Sequence, residues 1–537
     1  MATTDASRPM LALTPGQRRT LVVSCLGVAL VIGSMAALYT SLSDIAAETG
    51  ATQGQLTWVV DGYTLAVACL VLPAGAVGDR YGRRAVLIAG LAVFSAASAM
   101  PLMVHDPGWL IGSRAVAGIG AAFVMPSTLS IMTAEFPERH RARAVAIWAG
   151  VAGSGAILGV LGSGVLLQLW SWQSIFVALT VAGVVLLIAA LTVSESLEYA
   201  HPAMDYVGSV VVAAAVGLIV IALTEAPQRS WTDPLVLGLF AGGVAASLIF
   251  VIVEFRSDHP LLDLRLFADR GFGSATLSIA LQFLVLFGVF YLLIQYLQLV
   301  VGYEPLPSAL ALAPVVVPIV GISLVAPWLA DRFGLRLLTV PGLLAIAAGI
   351  FWASRLDVDF AYTDFLWPLL IMGTGLGLCM APATAAIVAA TPVEKHGVAA
   401  AVNDAAREVG AAVGIAIAGS VLAAGYANRI EPALPRLPEP MRQPFSDSLA
   451  AALKVADQAG PAGQQLADIA KSAFIDGYER AGLVLSVVTA ASAVVLGFWA
   501  PGSRSTAADK PHATPASASR ESRSHDADAA LGSGDGP

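Results

Sequence analysis

The stretch GAVGDRYGRR at residues 75–84 decides the fold, because a similar stretch, PWLADRFGLR, recurs at residues 327–336. Each joins two long apolar runs, and each carries Asp-Arg, an aromatic residue and glycine in the same order. Glycine permits a tight turn, and the arginines hold such a loop at one side of a membrane. Eight apolar runs separate the two stretches, so both loops are expected on the same side.

A second pair of stretches recurs in the same order. Residues 118–126 begin with Gly-Ile-Gly and end with Met-Pro, and residues 375–382 begin with Gly-Leu-Gly and end with Met-Ala-Pro. These pairs predict two parallel six-helix halves separated by two further apolar runs. Repeated halves that rock about a site near the membrane midplane are typical of secondary transporters.

The composition excludes several classes of protein. Hydrophobic residues make up 57% of the 537 residues, charged residues 12%, and the mean hydropathy is +0.77. Soluble domains carry about 25% charged residues, which argues against a water-soluble enzyme or a disordered scaffold. The net charge of −8 offers no basic surface for nucleic acid. Cys25, Cys69 and Cys379 are too few and too scattered for a disulfide framework or a zinc site, so neither a metal nor a cofactor is expected.

Fourteen apolar runs are long enough to cross a bilayer, which takes about 20 residues as a helix. Lipid offers the backbone no hydrogen-bond partner, so each run is predicted to be helical and the fold all-α and polytopic. The predicted spans are 20–43, 56–77, 84–103, 108–134, 141–168, 172–193, 205–227, 233–256, 273–300, 306–330, 335–356, 364–391, 397–424 and 480–500.

The short loops predict the orientation. Loops on the side of the N-terminus carry most of the basic residues, whereas short loops on the other side carry only Arg229 and Arg355. The positive-inside rule therefore places both termini in the cytoplasm, as in a multi-pass protein of the plasma membrane. The predicted organisation is a cytoplasmic tail 1–19, a first half 20–193, an insert 205–256, a second half 273–500 with an extracellular loop 425–479, and a disordered tail 501–537. A partly helical cap is the alternative for 425–479.

The repeated loop and the span-4 stretch RAVAGIGAA at 114–122 resemble the major facilitator superfamily, in particular its fourteen-spanner drug:proton antiporter branch. The resemblance implies a major-facilitator fold, a monomer, a small-molecule substrate and protons as partners, no nucleic acid and no cofactor. It also implies that the loops latch the two halves in one conformation. A purely topogenic basic loop is the alternative. The latch residues would be Gly75, Gly78, Asp79, Arg80, Gly82, Arg83, Asp331 and Arg332.

Several positions depart from the family's pattern. Val160 stands where the antiporter branch has proline, and Gln173 stands where it has arginine. In span 1, Ser34 stands where many relatives carry an intramembrane aspartate, and Ser43 stands where they carry a proline. Some relatives have another acid in span 10, but span 10 of this chain is apolar near Ile319. If protons are carried, another acid must therefore carry them.

Span 13 supplies candidate acids. Asp404, Arg407 and Glu408 have i, i+3 and i, i+4 spacing, so they project from one helical face, with Glu408 roughly 17 Å from the start of the span. Charged groups at that depth must face a wet cavity or a packed polar seam. Arg407 is predicted to pair with Asp404, which leaves Glu408 freer to exchange a proton. A static network that only joins helices is the alternative.

Span 2 adds Asp61, which completes the set of candidate proton-coupling acids with Asp404 and Glu408. Asp61 lies at a depth similar to that of Arg114 in span 4, and the two are predicted to share a polar network. A static ion pair is the alternative. Weaker candidates for the substrate cavity are polar and aromatic residues elsewhere in the bundle: Ser34, Tyr39, Tyr63, Trp148, Gln282 and Asn403.

The predicted function is export of small amphipathic compounds, cationic or lipophilic, in exchange for protons by alternating access. The alternative is a facilitator or exporter of an endogenous metabolite or lipid with weak or no proton coupling. An ATP-driven pump or a membrane enzyme is not expected, because the sequence contains neither a phosphate-binding Gly-x-x-x-x-Gly-Lys-Ser/Thr loop nor a His-Glu-x-x-His pair.

Overall fold

The computed structural model describes residues 13–49, 51, 53–103, 106–195, 204–257, 259–392, 395–458 and 463–502. These residues are almost entirely helical, and none of them lies in a strand. The first helix begins at Pro15, so residues 15–19 belong to it rather than to a tail. The predicted tails otherwise lie outside the described residues, apart from 13–14 and 501–502.

Within the described part, fourteen helices are long and apolar enough to cross a membrane, which confirms the predicted number of spans. Spans 1 to 8 are Pro15–Ala37, Gln53–Tyr81, Arg83–Ala99, Pro107–Glu135, Glu138–Leu169, Gln173–Ala190, Tyr206–Arg229 and Pro234–Arg256. Spans 9 to 14 are Arg270–Gln295, Pro305–Phe333 with a 3-10 turn at Ala313–Val315, Leu335–Ala353, Tyr362–Ala389, His396–Ile430 and Gly463–Trp499.

Short polar side chains fix where several spans begin. Asp106, Asp205, Asp233 and Asp269 each precede a helix and accept a backbone N–H from its first turn at 2.7–2.9 Å. Such a cap satisfies a donor that has no partner inside the helix. Because the even number of spans brings Pro15 and Trp499 to one side, we call that side the terminal face and the other the distal face.

The helices that flank the predicted loop 425–479 continue into it from both ends. Span 13 runs to Ile430, and span 14 already begins at Gly463. Gly425 and Gly477 let these extensions approach closely, and Arg429 pairs with Asp476 at 3.0 Å. Hydropathy marks where a helix leaves lipid and does not mark where the helix ends.

The rest of the predicted loop is largely helical as well. It contains the 3-10 helix Glu431–Arg436 and the α-helices Glu439–Asp447 and Leu449–Gln458. Tyr426 of span 13 donates its hydroxyl to the carbonyl of Phe445 at 2.9 Å. The segment therefore forms a helical cap on the distal face.

The glycines of span 5 let that helix pack against both halves. Gly159 lies directly against the backbone of Gly33 in span 1. A Cβ at Gly153 would meet the sulfur of Met380 in span 12 at 3.0 Å, and one at Gly164 would meet Leu306 of span 10 at 2.9 Å. Span 5 is thus a major contact between the halves, as close small-residue packing allows.

The two-helix insert lies against the two six-helix halves. Gly217 of span 7 packs against the sulfur of Cys69 in span 2. The indole of Trp231, just after span 7, donates to the Ser420 hydroxyl of span 13 at 2.9 Å. Span 7 therefore bridges the first and second halves.

Candidate substrate cavity and coupling residues

A cavity of about 490 Å³ lies between the two halves on the distal side. Its walls come from spans 1, 2, 5, 7, 9, 10 and 13, and most of the lining is apolar. Lining residues near the loops on the distal face, such as Leu42, Thr57 and Pro305, place its mouth there. A volume of this size suits a small organic ligand.

Two predicted acids, one from each half, line this cavity. Asp61 comes from span 2 and Glu408 from span 13. Neither carboxylate has a hydrogen bond or an ion pair with another described residue. An apolar cavity with a free carboxylate on each half has the chemistry to hold an organic cation or a proton.

Asp404 lies away from the cavity. Its side chain is fully buried and accepts a hydrogen bond from the Asn403 amide at 3.2 Å, while Oδ2 has no partner in the described part of the chain. Asn403 in turn accepts the Thr384 hydroxyl at 3.1 Å. One helical turn therefore separates the environment of Asp404, which is sealed, from that of Glu408, which is open.

Arg407 does not make the predicted ion pair with Asp404. Its guanidinium lies between two aromatic rings, with Cζ 4.7 Å from the centroid of Trp148 and 4.9 Å from that of Phe283. The side chain is 1% exposed, and none of its three nitrogens has a hydrogen-bond acceptor among the described residues. Helical spacing brings Arg407 onto the acidic face, but the long side chain reaches across to span 5 instead.

Arg114 does not pair with Asp61 either. The guanidinium donates to the Ser34 hydroxyl at 3.0 Å, to the Ser34 carbonyl at 3.2 Å and to the Val59 carbonyl at 3.3 Å. Its Cζ also lies 4.2 Å from the ring centroid of Tyr63. Backbone carbonyls of spans 1 and 2 thus take the place of the expected carboxylate.

Of the weaker cavity candidates, Tyr39 alone lines the cavity. The other five are buried elsewhere. Ser34 binds Arg114, and Tyr63 donates to the Val31 carbonyl at 2.9 Å. Trp148 donates to Thr128 at 3.1 Å and Gln282 to Ser278 at 2.9 Å, while Asn403 contacts Asp404 and Thr384.

The sequence interpretation missed the wall contributed by the insert. Val220, Leu223 and Thr224 of span 7 line the cavity beside Asp61, and Phe290 and Tyr291 of span 9 complete this side. The apolar pattern of span 7 marks it as a span and says nothing about its neighbours.

The first copy of the repeated loop joins the two halves at the terminal face. Asp79 accepts the backbone N–H groups of Gly397 and Val398, at the start of span 13, at 3.0 and 3.1 Å. Arg83 holds the same carboxylate through two nitrogens at 3.0 and 2.9 Å. A carboxylate at a helix N-terminus satisfies free donors and interacts favourably with the helix dipole.

Glycines make this contact possible. A Cβ on Gly75 would lie 2.5 Å from the Gly397 carbonyl oxygen, so the loop approaches span 13 backbone to backbone. Gly82 turns the chain with a φ of 99°. Of the residues predicted to form a latch in this loop, Gly75 and Asp79 contact span 13 directly, and Arg83 holds Asp79.

The second copy of the loop forms the same turn but makes no corresponding contact with the other half among the described residues. Gly334 has a φ of 82°, close to that of Gly82. Asp331 and Arg332 are exposed, and neither makes a hydrogen bond or ion pair within the described residues. Arg332 lies only near the rings of Trp328 and Phe333 of its own helix, at 6.0 and 5.8 Å. In this conformation Asp331 and Arg332 do not join the halves, and their part in a latch stays a prediction.

Comparisons with known proteins agree with this architecture. The family model described as Major Facilitator Superfamily matches residues 24–415. The chain is 31% identical over 430 residues to the multidrug resistance protein Stp of Mycobacterium tuberculosis, with 80% of each chain covered. It is 30% identical over 502 residues to the multidrug efflux pump LfrA of Mycolicibacterium smegmatis, with 93% of this chain and 99% of LfrA covered.

The fold is also similar to solved structures. The proton:xylose symporter XylE has a TM-score of 0.58 and 13% sequence identity, with 91% of this chain and 96% of XylE covered. At this identity the likeness establishes the shared fold and does not extend to the substrate.

Proposed function

The chain belongs to the major facilitator superfamily, and from this premise we propose that it exports small amphipathic compounds, cationic or lipophilic, in exchange for protons by alternating access. It is a transporter and not an enzyme. The observation that carries the proposal is the pair of acids, Asp61 and Glu408, which face one apolar cavity from opposite halves. Relatives named as multidrug resistance and efflux proteins support the substrate class.

We further propose that the terminal face is cytoplasmic, the membrane is the plasma membrane, and one chain is the transporting unit. The basic residues of the repeated loop, such as Arg80 and Arg83, lie on that face. The conformation is then closed to the cytoplasm by Asp79 and open on the outer side. This is the state in which an exporter releases its substrate and takes up a proton.

The two acids give the exchange a simple chemistry. Burial disfavours a carboxylate whose charge has no partner. Either a proton or an organic cation can remove this cost, so the two compete for the same carboxylate. In the outward-open state, protons reach Glu408 and Asp61 through the cavity and release the cation. The neutral acids then permit the halves to rock, and the protons leave at the terminal face.

The placement of the arginines favours a cationic over an anionic substrate. Arg114 is held by Ser34 and Val59, and Arg407 lies between aromatic rings, so neither lines the cavity. The cavity's lining also includes Tyr39 and Tyr291, whose faces suit organic cations.

The test is efflux of ethidium from proteoliposomes that contain the full chain, under an imposed proton gradient. We expect gradient-driven efflux in the wild type, and loss of coupling in Glu408→Gln and Asp61→Asn, because an amide cannot take up a proton. Asp364→Asn is the matched control, because Asp364 is an exposed acid at the start of span 12. Efflux that responds to the gradient equally in all four proteins would contradict the assignment of the acids.

A further inference from the structure

We propose that Trp148 and Phe283 form a second cation site, below the cavity, for flat organic cations with delocalised charge. Arg407 occupies this site in the present conformation, and Trp148 moves away from Arg407 when the terminal face opens. The inference rests on the proposed export function and deepens it, because it names a place where substrate arriving from the terminal face would first bind.

The site has the geometry of an aromatic clamp. The guanidinium of Arg407 is within 5 Å of both ring centroids, at 4.7 Å for Trp148 and 4.9 Å for Phe283. Trp148 is fully buried and is fixed by its hydrogen bond to Thr128. A cation within about 6 Å of an aromatic face is attracted by the ring quadrupole, more strongly when water is excluded.

The guanidinium is held by its charge and its flat face rather than by hydrogen bonds. Its Nε, Nη1 and Nη2 have no acceptor within the described part of the chain. A site that uses none of these donors does not discriminate between a guanidinium and an organic cation that lacks N–H donors. The two rings therefore suit flat, delocalised cations, with or without N–H donors.

A buried acceptor adds to the site. Asp404 presents Oδ2, which is buried and has no partner among the described residues. Asp404 and Arg407 share one face of span 13 by their i, i+3 spacing. Buried acceptors without partners are unfavourable, so a second cation, or water that enters as the halves part, would be stabilised there.

The contact crosses the boundary between the halves. Trp148 belongs to span 5 of the first half, whereas Arg407 and Phe283 belong to spans 13 and 9 of the second. A rocking motion that opens the terminal face therefore moves Trp148 away from both Arg407 and Phe283, so the ring of Trp148 is the part of the site that a cation arriving from that face would meet first. When the face closes again, Arg407 returns to the ring and displaces a bound cation towards the cavity lined by the next residue, Glu408.

Arg114 provides a comparison, because it is an arginine that hydrogen bonds hold in place. It also stacks on a ring, that of Tyr63, but it makes three hydrogen bonds to Ser34 and Val59. All of these partners lie within the first half. Arg407 lacks such anchors, which makes it the replaceable one of the two.

The test is binding of ethidium to the purified full chain in nanodiscs, followed by the fluorescence of the dye. Arg407→Gln replaces the resident cation with a shorter, neutral polar side chain, so ethidium should bind about tenfold more tightly than to wild type. Arg407→Lys keeps the charge and should bind close to wild type. Trp148→Leu in the Arg407→Gln background should abolish the gain, whereas Trp148→Phe should keep part of it.

Controls separate this site from folding effects and from the cavity. Trp367→Leu removes an exposed tryptophan of span 12 and should change nothing. A neutral phenanthridine of the same shape should show no gain with Arg407→Gln. Unchanged ethidium affinity in a folded Arg407→Gln protein, or an equal gain for the neutral dye, would overturn the proposal.

The experiments distinguish failure of the second site from failure of the proposed export function. Suppose that Glu408→Gln loses gradient-driven efflux while the Arg407 and Trp148 variants all bind ethidium with the same affinity. That result would support the exporter and refute the second site. The binding pattern without any proton-driven efflux by wild type would support the site and refute the exporter.

Discussion

The two copies of the repeated loop adopt the same turn and have different surroundings. Asp79 lies buried against the first turn of span 13, whereas Asp331 occupies the matching place and is exposed. Gly82 and Gly334 both have positive φ, so the shared residues encode the turn. The contact between the halves must come from residues that the copies do not share.

The differing positions account for the different surroundings. Gly75, which touches the Gly397 backbone, corresponds to Pro327 in the second copy, and Arg83, which holds Asp79, corresponds to Leu335. A bulkier residue and the loss of the arginine leave the second copy unable to make the same approach. The terminal face is therefore closed asymmetrically, by the first half holding the second.

The largest effect should follow from loss of the Asp79 carboxylate. Asp79→Asn removes charge-assisted hydrogen bonds to two backbone N–H groups and to Arg83. Such bonds are worth about 2 kcal/mol, which would shift the balance away from the closed state roughly 30-fold. The shift can be measured as maleimide labelling of Val398→Cys from the terminal face, after the three native cysteines are replaced by alanine.

The matched control is Asp331→Asn, which removes the corresponding but exposed carboxylate. Labelling of Val398→Cys should be the same as in the parent protein, and ethidium export should be retained. Equal increases for Asp79→Asn and Asp331→Asn would refute the asymmetry.

A smaller effect is expected when a methyl group is added at the point of closest approach. The Cβ of Gly75→Ala would lie 2.5 Å from the Gly397 oxygen and 2.6 Å from the Ala401 Cβ, so the terminal face must part by a fraction of an ångström to admit it. We expect labelling of Val398→Cys to rise by several-fold, on the order of 1 kcal/mol, as for overpacking of a tight contact.

Gly321→Ala serves as the control for this substitution. Gly321 lies in span 10, and no described atom would lie within 4 Å of the added methyl group. If both alanine variants label like the parent protein, the backbone contact at Gly75 does not limit closure.

Part of this architecture could be predicted from the sequence because it depends on local pattern. Apolar length predicted fourteen spans, and the repeated turn predicted parallel halves and singled out Asp79. Asp61 and Glu408 were identified because isolated charges in apolar runs are costly. The helices within the predicted loop 425–479 leave no hydropathy signal, so the sequence offers a partly helical cap only as an alternative there.

Contacts between helices could not be predicted in the same way. Arg407 has the correct spacing to pair with Asp404, yet it stacks on Trp148, which is far away in sequence. Arg114 likewise reaches Ser34 in span 1, and span 7 lines the cavity beside Asp61. Spacing within one helix fixes which residues share a face, and it does not say which helix lies opposite.

The smallest effect should come from turning the first loop into the second at one position. Arg83→Leu copies Leu335 and removes one ion pair from Asp79, but the carboxylate keeps its two bonds to the start of span 13. Because the pair is buried, its loss should still matter, and we expect labelling of Val398→Cys to rise about threefold, less than for Asp79→Asn. The reciprocal change, Leu335→Arg, should leave labelling unchanged, since Asp331 lies exposed. A rise that matches that of Asp79→Asn would mean that Arg83 positions the carboxylate and that the helix N-terminus alone does not hold it.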